Sequence, residues 1–246
     1  MPELAEVEFY RKEWDAGLRK KITGVELHTG KRIFRGLQEK RLATALKGAT
    51  YLGSEAKAKL MCFRFSRGVW LGIHLGMTGK LRVEPARFIP DKHDHLVLRQ
   101  QGRALVFSDP RQFGRVHFHE GRDVPGWWAK LPPAVTSPEF TLDLVSAFLQ
   151  RRARLAVKAA LLVQTAFPGV GNWMADEILW QARIDPRVLC GKLSPKQIAA
   201  PLERSAPCLP GRPGNRGPGF FRSAGGLAHS PAVDEQGHVS RATACH

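Results

Sequence analysis

Pro168-Gly169-Val170-Gly171-Asn172-Trp173-Met174-Ala175-Asp176-Glu177 lies between two segments of helical pattern, residues 155–165 and 173–182. Two glycines in a turn that opens a helix leave backbone N–H groups bare at the positive helix end, which suits an anion. A plain helix hairpin with a glycine turn has the same short signature, so the surroundings must decide. Upstream, Ser137-Pro138-Glu139 reads as an N-cap with Pro in the first turn of a helix carried by Phe140, Leu144, Phe148 and Leu149. Downstream, Ser194-Pro195 starts another helix, and from Pro201 the chain becomes Gly/Pro/Arg/Ala/Ser-rich without apolar periodicity. A Pro-rich segment, 124–138, separates this helical half from a different pattern. Short β-type runs there (24–28, 60–65, 69–75, 95–99, 103–107 and 115–119) alternate with turn formers such as Ser66-Arg67-Gly68 and Gln101-Gly102. One more helical segment, 5–17, precedes them. The expected fold is α+β. It has an N-terminal β-sandwich or barrel-like domain with an N-terminal helix (1–123), a linker (124–138), a helical domain (139–200) and an atypical, poorly ordered tail (201–246).

With 246 residues, 43% of them hydrophobic, the chain can bury a substantial core, which excludes wholesale disorder. The formal charge of +16 calls for a polyanion, nucleic acid first. A basic protein of the ribosomal or membrane-surface kind is the lesser alternative on charge alone. No stretch approaches the roughly 20 apolar residues of a membrane span. The N-terminus is acidic and amphipathic where a signal peptide is basic and then apolar, so an intracellular protein of the cytoplasm or nucleoid, without a membrane partner, is expected. Cys62, Cys190, Cys208 and Cys245 lie far apart, without a CxxC pair that would indicate a disulfide framework or a zinc finger. In His93-Asp94-His95, neighbouring strand residues face opposite ways, which argues against a metal site.

The opening Met1-Pro2-Glu3-Leu4-Ala5-Glu6-Val7-Glu8 resembles the N-terminal signature of the formamidopyrimidine-DNA glycosylase and endonuclease VIII family, with Ala5 where the family has Pro. That resemblance implies a DNA glycosylase and AP lyase with Pro2 as nucleophile. The chemistry suits the residues. Once Met1 is removed, Pro2 is a secondary amine, and an α-amino group has a pKa of about 8 against about 10.4 for Lys, so a free-base fraction exists at neutral pH. Such an amine can attack the C1′ of a deoxyribose and expel the base, and the resulting iminium is an electron sink for β-elimination. Glu3 would pass protons during sugar opening and base departure, and Glu6, one turn on, would orient water or the sugar. Taken alone, Pro2 and Glu3 could equally just begin a helix.

Three further stretches resemble the same family in the same order. Ala58-Lys59-Leu60-Met61-Cys62-Phe63 with Gly72-Ile73-His74-Leu75-Gly76-Met77-Thr78-Gly79 looks like its paired strands. This implies Lys59 near the lesion phosphate and sugar, His74 on a neighbouring phosphate, and Met77 in the gap left by a flipped nucleotide. Ser108-Asp109-Pro110-Arg111-Gln112-Phe113-Gly114 resembles the family's intercalation loop, with Arg111 filling the void and Phe113 stacking into the duplex. Gln112 stands where a second Arg is frequent, which leaves the opposite-base preference open. The stretch quoted first resembles the helix-two-turns-helix motif, with Gly169, Gly171 and Asn172 on a phosphate and Lys158 projecting from the preceding helix.

The resemblance covers residues 2–200 and stops there. The family's usual zinc finger of two CxxC pairs has no counterpart in a tail with single Cys208 and Cys245, so no cofactor and no metal are expected. Natural divergence or a disrupted reading frame would both produce such a tail. The implied function is base-excision repair of oxidised bases, oxidised purines by default, acting as a monomer on damaged double-stranded DNA. A catalytically impaired damage-binding protein of the same family is the alternative. A structural RNA-binding protein fits the charge but not the ordered motifs.

Overall fold

In the computed structural model, residues 2–135 and 137–205 are described, and all of them belong to one compact unit. The expected tail lies outside the described residues from 206 onward.

Period-two alternation builds the N-terminal half. β3 (Leu60–Phe65) turns Met61, Phe63 and Phe65 inward, and its hairpin partner β4 (Val69–His74) adds Val69, Leu71 and Ile73 to the same buried cluster. Flanked by β2 (Tyr51–Lys57) and β8 (Arg115–Glu120), they form an antiparallel sheet in the order β2-β3-β4-β8. A second antiparallel sheet faces it. It is ordered β1-β6-β7-β5 from β1 (Gly24–Leu27), β5 (Lys80–Pro85), β6 (Asp94–Gln100) and β7 (Arg103–Ser108), and it contributes Leu81, Leu96, Leu98, Leu105 and Phe107 to the core. The expected sandwich is therefore observed. α1 (Leu4–Glu13), continued by a 3-10 turn (Trp14–Gly17), closes it by sinking Val7 and Trp14 into that core, with Trp14 4.8 Å from the Phe63 ring. A helix not anticipated, α2 (Glu39–Leu46), adds Leu42 and Leu46.

The outer face of the β2-β3-β4-β8 sheet is also apolar, and the segment expected to be a plain linker covers it. Its single turn α3 (Gly126–Ala129) sets Trp128 against Leu60 and Cys62, while Val135 further along enters the helical core. The helical half departs from the periodicity in three places. α4 (Leu142–Arg151) starts after Thr141 instead of at Ser137, because the Thr141 hydroxyl accepts from Leu144 N while Ser137-Pro138 is spent on a turn. The helix expected over 155–165 is only α5 (Val157–Leu161), since Ala156 bridges Leu189 and Val157 N donates to Val188 O. α6 (Asn172–Ala182) agrees with the reading. α7 (Pro195–Ser205) begins at Ser194, capped reciprocally with Gln197, and runs through Pro201, where the pattern had been expected to end.

Candidate active site

The site forms where the N-terminus meets the loop before α6. The first turn of α1 is a capping box in which Glu3 N donates to Glu6 Oε2 (3.0 Å), holding Glu3 in extended backbone. The Glu3 side chain then reaches the helical half. Its Oε1 accepts from Trp173 N and its Oε2 from Met174 N, both at 2.9 Å. A carboxylate on two free N–H groups at a helix N-terminus is favoured by hydrogen bonding and dipole alike. Gly171 makes this possible, because a Cβ there would overlap the Glu3 carboxylate. Gly169, at φ +92°, likewise leaves room for Leu4. The two glycines thus seat the N-terminal turn, and the Glu3 side chain accepts from the N–H groups of Trp173 and Met174 beside them. Pro2 precedes it and is buried.

Lys59 crosses the same junction. It is buried, and its Nζ donates to Val170 O at 3.0 Å. Burial pushes its pKa below the usual Lys value, against an opposing pull from Glu3. Beside it opens a cleft of about 670 Å³, lined among others by Lys59, His74, Arg35, Arg115 and, from the helical half, Gly171 and Asn172. Pro2 and Glu3 do not line this cleft, but Glu3 packs against Gly171, which does. His74 Nδ1 accepts from Gly76 N at 3.0 Å, so the neutral ring carries its proton on Nε2. Burial first, then Lys59 and Arg35, lower its pKa and keep it neutral. Asn172 is exposed at the start of α6, whereas Lys158 is paired with Asp176 at 2.7 Å and so is not a free cation.

At the cleft's edge two loops project together. Met77, Arg111 and Phe113 are all exposed, with the Arg111 guanidinium 4.7 Å from the Phe113 ring centre. Asp109 ties the loops into one unit. Fully buried, it accepts from the Thr78 hydroxyl (2.7 Å) and from Arg111 N (3.3 Å) through Oδ1, and from Gly114 N (2.7 Å) through Oδ2. Its backbone carbonyl accepts from His95 Nε2 at 2.9 Å. Asp94, next to His95, pairs instead with Arg82. Among the described residues no group of three or more His, Cys, Asp or Glu side chains is placed to hold a metal. Asp109→Asn should lose one of these acceptors and destabilise the fold by about 1–3 kcal/mol. It should also blur discrimination among opposite bases, measured as the ratio of excision rates across a panel of paired bases. An unchanged ratio would show that the loops hold their places without it.

Sequence reasoning missed Asp109, Arg35 and Arg115. Asp109 carried a signal, as an Asp before Pro at a strand end with hydrogen-bonding capacity for a turn. Arg35 carried none, for it is delivered by a 3-10 turn (Arg32–Phe34) and donates to Gly114 O.

Comparison with known proteins agrees with this geometry. The family model for the formamidopyrimidine-DNA glycosylase N-terminal domain matches residues 1–116, and that for its H2TH domain matches 131–209. A formamidopyrimidine-DNA glycosylase of Roseiflexus sp. is 36% identical over 202 residues, 81% of this chain and 74% of the relative. One from Ligilactobacillus salivarius is 35% identical, covering 80% and 72%. The Lactococcus lactis enzyme, solved bound non-covalently to DNA containing an AP site, superposes with a TM-score of 0.75 at 29% identity, over 82% of this chain and 78% of that one. Fold and site thus define a two-part protein that joins a β-sandwich to a helix-two-turns-helix unit. More narrowly, the chain belongs to the formamidopyrimidine-DNA glycosylase family. No described helix is long and apolar enough to cross a membrane.

Proposed function

We propose that this protein is a base-excision DNA glycosylase with AP lyase activity, removing oxidised bases through a Schiff base on Pro2. The observation that carries the reading is the Glu3 carboxylate, one residue from Pro2, clamped at the start of α6 next to Gly171 of a cleft that Lys59, Arg35 and Arg115 also line. Duplex DNA would lie in the cleft with its phosphates on Lys59, His74 Nε2–H and Asn172. Arg35 and Arg115 add positive charge, while Gly169 and Gly171 shape the junction. Met77, Arg111 and Phe113 would enter the stack where the damaged nucleotide leaves it. The Pro2 amine would attack C1′ as the base departs with a proton, and Glu3 would move protons at the sugar. Loss of the C2′ proton from the iminium would then expel the 3′-phosphate. Glu6 supports this by holding Glu3 N. Lys158 would reach DNA only by giving up Asp176.

Lesions follow the relatives. Lactococcus lactis structures hold a Fapy-dG containing DNA and an oxidised pyrimidine containing DNA, so both classes are substrates to test, purines first. We assign no step to a metal, since single cysteines at 208 and 245 offer no zinc-finger pairs. The expected working form is a monomer.

One observation favours a second reading, an idle damage binder: Pro2 is buried. Borohydride trapping on an abasic duplex separates the two, since only the enzyme becomes covalently attached. Affinity for the duplex should fall by about 10³-fold or more between roughly 50 and 200 mM salt if six or more phosphates are engaged. A flat salt response in a binding titration would refute the cleft as a DNA channel.

A further inference from the structure

Trp127 and Trp128 are adjacent in α3 but do different things. Trp128, 8% exposed, covers Leu60 and Cys62 and anchors the segment to the sheet. Trp127 stays part-exposed and lines the cleft. Its seat is shaped for the ring. A Cβ on Gly72 of β4 would come within 2.8 Å of the indole, and His117 of β8 lies beside it, ring centres 5.3 Å apart and inclined by 31°. Burial above all, then Arg115, pushes the His117 pKa down to about 4, so at neutral pH this neighbour is an uncharged flat ring. Trp127 Nε1 is buried and has no hydrogen-bond partner among the described residues, so the indole turns its polar edge into the protein. Trp128 already anchors the segment, which leaves the part-exposed Trp127 ring in the cleft lining to be explained.

Three cations, Lys59, Arg35 and Arg115, line the same cleft, among apolar neighbours that include Leu60, Leu131 and Leu162. A flat π-face beside a row of phosphate-binding charges has the chemistry of a nucleotide site, because every base has a face that stacks on an aromatic ring. Resting on the reading of this cleft as a DNA channel, we propose that Trp127 is a base-stacking site for the nucleotide adjoining the phosphate held at Lys59 and His74. It takes a base or base analogue of any sequence.

The test places 2-aminopurine at successive positions on either side of a stable abasic analogue and reads emission and Kd. One position should be quenched with the wild type and with Trp127→Phe. Trp127→Leu, which keeps apolar bulk without a π-face, should relieve that quench and weaken binding roughly tenfold. Unchanged quench and Kd in Trp127→Leu would reduce Trp127 to packing. Should that variant melt far below the wild type, 5-iodouracil at the quenched position of the unaltered complex decides instead. Irradiation should attach it to the Trp127 peptide, and an adduct elsewhere overturns the assignment. A wild type that binds neither damaged nor intact duplex fails at the first titration, before any variant is made. That result removes the DNA-channel reading and this site with it.

Discussion

Protein that keeps Met1, for example behind a short N-terminal extension, should bind an abasic duplex yet fail to be trapped by borohydride, with excision down by about 10³-fold or more. The reason is electronic. With Met1 attached, the Pro2 nitrogen is a tertiary amide whose lone pair is delocalised, and no base nearby can free it. Release of Met1 turns this amide nitrogen into a free secondary amine. Pro2→Gly should be milder, because a glycine amine can still form an imine but loses the ring that fixes its direction just before the capping box. Affinity should be nearly unchanged in both, since the loss falls on the transition state. Lys59 is the competing amine, and burial lowers its pKa in a way that favours a nucleophile. Against that, its Nζ is committed to Val170 O. Peptide mapping of the reduced adduct decides: attachment to the N-terminal peptide supports Pro2, and attachment to Lys59 overturns the mechanism.

Much of the fold was legible because its signals are local. The β-type runs 60–65 and 69–75 became β3 and β4, and the helix expected over 173–182 is α6, which starts one residue earlier at Asn172. What escaped depends on tertiary partners. Tyr51–Lys57 carries Gly53, Ser54, Glu55 and Lys57, a poor strand composition, and is a strand because β3 pairs with it. Lys80–Pro85 mixes Lys, Arg and Glu on an edge and is held by β7. At the site, the motifs named the chemical groups but not their contacts. Gly169 and Gly171 read as a phosphate seat because free N–H groups at a helix start are the general signature. Nothing in the local sequence says that Glu3, some 170 residues earlier, takes the N–H groups of Trp173 and Met174 just beyond the two glycines. The Trp127-Trp128 pair sat in a segment read as a linker on its prolines, and only the apolar outer face of the sheet shows why aromatics are there.

Glu3→Gln should slow base excision by about 10²–10⁴-fold while leaving an already abasic site open to trapping, because no base then has to leave. The structure adds a second consequence. Both Glu3 oxygens accept from α6, and Gln offers only one acceptor, so its NH2 would face the N–H of Trp173 or Met174. A buried donor left facing another donor costs about 1–3 kcal/mol, which thermal melting should register as a lower Tm. The two effects need separating, and Gly171 provides the means. Gly171→Ala keeps the acid but puts a Cβ where the carboxylate sits, so it should displace Glu3 from the helix end. If Glu3 acts only as an acid of free position, Gly171→Ala should lose stability and keep its excision rate. If the clamp on α6 is what aims the proton, Gly171→Ala should lose excision as Glu3→Gln does. The clamp reading predicts the second result, measured in single turnover on an oxidised-purine duplex well below either variant's melting temperature. A Gly171→Ala protein that excises at the wild-type rate would show that the carboxylate works without its place at the helix end.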